Sequence, residues 1–213
     1  MSTVNERSRS ATPVRARMQL AREEALLDAA TTLLSEKGFM AMSMDDLAAR
    51  ASVSKATLYQ HFPSKEDLAR RVVLRTVTRT IELIRRTVPD RSPLDRLEMC
   101  IRTILRNRLA IARAAGDALV GLQTIVQGSP EYRALFEELI ELLTEMVDAA
   151  KAKGQVDASL PSRVLAQVPV SLIRDMEYPR MVEDGVCSVD ELTDAIAAIA
   201  LRGMRPREER HHA

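Results

Sequence analysis

The stretch Ser43–Lys65, SMDDLAARASVSKATLYQHFPSK, decides how the rest of the chain is read. It opens on Ser43-Met44-Asp45-Asp46, an S-x-x-D start. The Ser43 hydroxyl suits the cap of a new helix, and two carboxylates sit on that helix's positive end. Asp46 stands where such a box usually has Glu and is one carbon shorter. The helix is short and ends near Ala51. Ser52-Val53-Ser54 is too brief for anything but a tight turn, and Ser54 then caps a second short helix, Lys55 to His61. Leu47, Val53, Leu58 and Phe62 are the apolar residues that would hold the two helices together, while Ala48 and Ala51 are small enough to let them approach. Two short helices joined by such a turn form a helix-turn-helix, whose second helix is built to lie in the major groove of DNA.

The outer face of the second helix carries matching chemistry. Lys55 and Thr57 lie at its N-terminal end, where a recognition helix meets base edges. Tyr59 and His61 lie further along and suit phosphate oxygens. Lys65 opens the next helix, whose unpaired N–H groups also favour a phosphate. The plain alternative is a surface helix that carries polar groups.

The run SVSKATLYQHFPSKEDL resembles the signature of TetR/AcrR-family transcriptional regulators, V-S-x-x-x-L-Y-x-H/Y-F-x-x-K-E-x-L. The likeness extends over Leu26 to Leu68. It implies DNA contacts at Ser43, Ser54, Lys55, Thr57, Tyr59, His61 and Lys65. Two departures stand out. Ser52 replaces a usual Gly, and a serine held in a left-handed turn costs roughly 1–2 kcal/mol. Ala56 replaces another common Gly, which strengthens the helix slightly.

Length and composition set the frame. The 213 residues suffice for one large domain or two modest ones. Aromatics make up only 3%, and seven Gly among abundant Ala, Leu, Arg and Glu point to an all-helical protein. No run reaches the length of a membrane span, and no apolar signal segment opens the chain, so a cytoplasmic protein is expected. Cys100 and Cys187 fit no metal or CxxC spacing and read as reduced structural thiols. Net charge is +1, but residues 1–88 hold 15 Lys+Arg against 10 Asp+Glu and the remainder 16 against 20. A basic N-terminal part suited to phosphates thus joins an acidic C-terminal part.

Taken in order, residues 1–18 are polar, with Arg7, Arg9, Arg15 and Arg17, and are expected to be a disordered basic tail. The functional alternative is an arm that follows the DNA backbone or enters the minor groove. A first helix is expected over about Leu20 to Lys37, with Leu26, Leu27, Ala30, Leu33 and Leu34 as its stripe and Gly38 as its stop. A fourth helix starts after Pro63 with Ser64 as cap and runs to about Val88, leaving the DNA-binding unit for the next domain. A fifth follows Pro93, and a short sixth covers Asp117 to Gln127. Ser129-Pro130-Glu131 is a strong start for a seventh, ending at Gly154. An eighth, about Pro161 to Glu183, carries Pro169 and Pro179, each expected to kink or split it. Ser188-Val189-Asp190-Glu191 is a full capping box for the ninth. The expected organisation is therefore all-α. A three-helix DNA-binding domain spans 19–79, a larger helical domain of effector binding and dimerisation spans 80–204, and a frayed tail covers 205–213.

The resemblance implies that the last two helices pair two copies into a homodimer, here through Val164, Leu165, Val168, Leu172, Leu192, Ile196 and Ile199. The alternative is that these stripes only close a monomer core. It also implies a small-molecule effector pocket. Polar or flexible groups on apolar helices are the candidates to line it: Met99, Arg102, Arg106, Gln123, Gln127, Met146, Met176 and Tyr178. Arg102 and Arg106 stand four apart and suit an anionic ligand or, equally, a solvated stripe. The expected function is a dimeric repressor on a palindromic operator, released by its effector. An activator, or a regulator with no ligand, shares the same pattern. An enzyme is disfavoured: the three histidines are His61, His211 and His212, and no phosphate-binding glycine loop or dinucleotide fingerprint is present. No cofactor or metal is expected.

Overall fold

The computed structural model describes residues 11–86, 91–115, 126–172 and 177–206. Nine helices lie within them: α1 (Ala11–Ala41), α2 (Met44–Arg50), α3 (Lys55–His61), α4 (Lys65–Arg85), α5 (Pro93–Ala115), α6 (Pro130–Ala152), α7 (Ser162–Leu172), α8 (Glu177–Glu183) and α9 (Val189–Met204). Among the described residues there is no strand, and no helix is long and apolar enough to cross a membrane. The expected sixth helix falls almost wholly outside the described residues; only the turn of helix at 126–128 is within them.

The serines that mark helix starts all act as caps. Ser43 accepts from the Asp46 N–H, Ser54 from Thr57, Ser129 from Tyr132 and Ser188 from Glu191. Each satisfies one of the N–H groups that a helix leaves without an internal partner. The short arm of Asp46 still closes the box, since its Oδ2 accepts the Ser43 N–H at 3.0 Å.

One expectation needs correction. Helix α1 begins at Ala11, not near Leu20, so part of the expected disordered tail is helical. Good helix formers fill this segment and its one proline, Pro13, lies in the first turn, where no N–H is missed. Residues 16–20 are exposed on every side, so no apolar periodicity reveals the extension. The eighth segment is described as two helices, α7 and α8, which agrees with the expected kink or split, and each keeps its proline inside. Pro179 sits in the first turn of α8, where it costs little.

The chain forms two compact units, and the division falls inside α4, between Val72 and Val73. The N-terminal unit closes around Leu26, Leu33, Leu47, Leu58, Phe62 and Leu68, all essentially buried. Gly38 breaks α1 with φ 74°, which turns Phe39 back into this core. Two ion pairs tie α1 to the helix-turn-helix, Arg50–Glu36 at 2.6 Å and Lys37–Asp46 at 3.1 Å. Arg71 joins α4 to α1 through Glu23 at 2.6 Å and lies over the Phe62 ring.

The second unit is built from the rest of α4, α5 as far as Arg113, and α6 to α9. Its core includes Ile101, Leu105, Ile140, Leu143, Val147 and Ile196. Ala150, Ala166 and Ala197 have no exposed surface, which lets α6, α7 and α9 approach closely. Cys100 lies in this core, its Sγ 3.7 Å from the Met146 sulfur.

Candidate nucleic-acid interface

Burial and turn geometry together make the site. Leu47, Ala48, Leu58 and Phe62 point inward, whereas Asp45, Ala49, Ser54, Lys55, Ala56, Tyr59 and Gln60 are exposed. Positions 55, 56, 59 and 60 fall on one face of α3 by helical spacing. Gln60 belongs to that face although sequence reading passed over it. Its spacing from the buried Leu58 would have revealed it. Gln is also a residue type that reads adenine.

The turn is held by backbone bonds. The Ser52 N–H donates to Ala49 O at 3.2 Å and the Val53 N–H to Ala48 O at 3.0 Å. Ser52 itself has φ 52°. This is a Schellman ending, with a serine in the left-handed position that glycine usually fills. It fixes where α3 leaves α2.

Most of the expected contact residues already have partners within the protein. The Ser43 hydroxyl is shared with Asp46 at 2.9 Å. The Ser54 and Thr57 hydroxyls bond each other at 2.9 Å. The Lys55 ammonium donates to Asp45 Oδ2 at 2.7 Å, and this partner holds its pKa above the ordinary lysine value. Lys65 is turned inward: its Nζ donates to Met40 O at 3.2 Å and lies 4.4 Å from the centre of the Phe39 ring. Tyr59 is exposed, and His61 is half-buried beside Phe62. Asp46 carries a pKa lowered to about 2, first by the Lys37 ammonium and then by Ser43.

The sequence profile described as "Bacterial regulatory proteins, tetR family" matches residues 26–72, the segment that holds this whole arrangement. Over that segment the chain is similar to the TetR family of regulators. Relatives within it include the HTH-type transcriptional activator FasR of Mycolicibacterium smegmatis, 34% identical over 64% of this chain and 54% of its own length. The HTH-type transcriptional repressor KstR of Rhodococcus jostii is 34% identical over 49% of this chain and 53% of its own length. The chain thus spans about half the length of these curated relatives. Among solved structures, the TetR-type fold is shared with the Bacillus subtilis regulator FadR in complex with stearoyl-CoA. That match has a TM-score of 0.60 at 17% identity, over 85% of this chain and 99% of the other.

The residues expected at an effector pocket are spread differently. Met99 and Tyr178 are half-buried and Met146 is in the core, while Gln127 is half-buried just before α6. Gln123 and Met176 lie outside the described residues. Arg102 and Arg106 stand four apart on α5 as expected, but each has carboxylate partners. Arg102 bonds Glu98 at 2.9 Å and pairs with Asp194 of α9, and Arg106 bonds Asp190 of α9 at 3.0 Å. Among the described residues no group of His, Cys, Asp and Glu is placed to hold a metal.

The expected dimer seam divides in two. Leu165, Leu192 and Ile196 are buried in the subunit's own core, and Leu172 is half-buried against it. Val164, Val168 and Ile199 are exposed, at 53%, 46% and 67%.

Proposed function

We propose that this chain is a sequence-specific, dimeric transcriptional repressor that acts in the cytoplasm on a palindromic operator and is released from it by a small molecule. The observation that carries the DNA-binding part is the exposed face of α3. It presents Lys55, Tyr59 and Gln60 outward on a helix whose exit from α2 is fixed by two backbone bonds. Ser43, Ser54, Thr57, His61 and Lys65 complete the surface offered to bases and phosphates. An isolated unit of this size needs a second copy to read two half-sites about 34–36 Å apart. Val164, Val168 and Ile199 are the exposed apolar residues on α7 and α9 that suit such pairing.

The effector part draws support from FadR, whose structure contains stearoyl-CoA. A largely apolar ligand suits the candidate residues Met99, Gln127, Met146 and Tyr178, of which Met146 lies in the core and the others are half-buried. An acidic group on it would compete with Asp190 and Asp194 for Arg106 and Arg102. Helix α4 runs from one unit into the other and is the element through which we expect ligand to act. The ligand must bind the DNA-released state better, and operator DNA must then weaken ligand binding by the same factor. FasR is named an activator and KstR a repressor, so activation is the second reading.

The test is selection of fragments from the organism's own genome by the full chain. Selected fragments should share a palindrome. Lys65→Ala should weaken all sequences alike and flatten the salt slope by about one unit, whereas Thr57→Ala should change the base preferred at one position of each half-site. If both variants keep wild-type affinity and preference across a salt titration, the recognition-face assignment falls.

A further inference from the structure

We infer that Asp45 is a specificity-determining residue: by holding the Lys55 ammonium against its carboxylate, it directs that cation to neutral base edges and away from phosphates. The inference rests on the DNA-binding reading above. Asp45 is the second residue of α2 and Lys55 the first of α3, so the pair bridges the turn of the helix-turn-helix. The bond from Lys55 Nζ to Asp45 Oδ2 is 2.7 Å, and the two side chains are 65% and 61% exposed. A pair so exposed contributes little to stability, since solvent screens it and two side chains are ordered to make it. Its consequence is therefore for what the ammonium does next.

An ammonium has three N–H donors. One goes to Asp45, which leaves two for a ligand. A guanine edge offers two neutral acceptors, O6 and N7, and takes both without repelling the carboxylate. A phosphate oxygen is an anion and must either displace Asp45 or sit beside it at the cost of like-charge repulsion. The carboxylate thus acts as a filter between two acceptor types. It also cancels a charge that would otherwise release a counterion on any duplex, which is the source of sequence-independent binding. Lys65 provides the internal contrast. Its partners are the neutral Met40 carbonyl and the Phe39 ring, neither of which repels a phosphate as a carboxylate partner would.

The experiment measures binding of the full chain to the selected operator and to a random duplex, each across a salt titration. The variants are Asp45→Asn, Asp45→Glu, Lys55→Ala and the Asp45→Asn/Lys55→Ala double variant. Asp45→Asn should tighten random-duplex binding, steepen its salt slope by about one unit and lower the ratio of operator to random affinity. Asp45→Glu should restore the wild-type ratio and slope. In the Lys55→Ala background, Asp45→Asn should leave the random-duplex slope unchanged. Thermal melts of all four variants should stay near wild type, because both side chains are exposed. An Asp45→Asn variant with unchanged slope and ratio overturns the inference alone. So does an equal tightening in the Lys55→Ala background, since that would be plain long-range repulsion by Asp45. A wild-type chain that binds neither duplex overturns the DNA-binding reading and this inference with it.

Discussion

Replacing Ser52 with glycine should stabilise the N-terminal unit. The magnitude follows from three helix ends in this one chain. After α2, α6 and α8 the same two-bond ending recurs. Ser52 and Val53 donate to Ala49 and Ala48, Gly154 and Gln155 to Lys151 and Ala150, and Gly185 and Val186 to Val182 and Met181. The left-handed residue is glycine in the last two, with φ 67° and 70°, and serine in the first, with φ 52°. An L-residue held there costs about 1–2 kcal/mol, from crowding between Cβ and the backbone. Glycine removes that cost but loses roughly 0.5–1 kcal/mol of additional chain entropy on folding. The net gain for Ser52→Gly therefore centres on about 0.75 kcal/mol, or a rise of about 3–6 °C in the melting temperature of a unit of 60–100 residues. Among the described residues the Ser52 side chain is exposed and makes no hydrogen bond, so little else changes. Ser52→Ala keeps the strain and should melt as wild type does. The mirror experiment is Gly154→Ser. An added Cβ there meets nothing within 4 Å, so the loss it causes comes from the backbone alone. Calorimetry with urea titrations at constant m would measure all three variants. A glycine variant that melts at or below wild type, with the alanine variant unchanged, would refute the reasoning.

The remaining predictions concern the seam, acid stability and the thiols. Val168→Asp with Ile199→Asp should leave a folded chain that sediments as monomer and loses operator binding, whereas Ile196→Asp should unfold it, since Ile196 is 4% exposed. A wild-type chain that is monomeric yet binds a palindrome tightly would defeat the seam. The Asp46 carboxyl has its pKa lowered from 3.8 to about 2, so its charge stabilises the fold fully above 3.8 and that contribution is lost as pH falls through 2. The stability gap between wild type and Asp46→Asn should close over that window, and a gap that stays constant under acid urea titration would show that the cap needs no charge. Burial pushes the Cys100 thiol up to about 11, so alkylation of the native protein should take Cys187 and spare Cys100 until unfolding. Equal rates at the two, read by mass spectrometry, would contradict the packing of Cys100 against Met146.

Local signals were the most legible part of the chain. A serine followed three residues later by a backbone N–H in need of a partner is a short-range event, and Ser43, Ser54, Ser64, Ser129 and Ser188 all act as caps where their spacing predicts. Ser52 was legible through the resemblance, since a glycine usually stands at its position, and its φ of 52° is left-handed. The paired charges were not. Asp194 lies 92 residues from Arg102, and Asp190 lies 84 from Arg106. Nothing in the spacing of two arginines on α5 says which acids of a distant helix will meet them. Lys55 and Lys65 show the same limit at shorter range: their positions were legible, but not the Asp45 carboxylate and the Met40 carbonyl that take their ammonium groups.

The expected seam joins apolar residues that differ in burial within the subunit. Helix α7 is apolar at Val164, Leu165, Val168, Pro169, Val170 and Leu172, a wider arc than contact on one side requires. Neighbouring positions on a helix are about 100° apart, so Val164 and Leu165 cannot serve one flat contact equally. Leu165, Pro169 and Val170 are spent on the subunit's own core, and Val164 and Val168 are left outside it. On α9, Ile196 faces inward while Ile199, three positions on and rotated by about 60°, faces out. Counting apolar residues merges the two arcs into one seam of seven. Burial separates them, and any second copy must then use the arc that the core has not already taken.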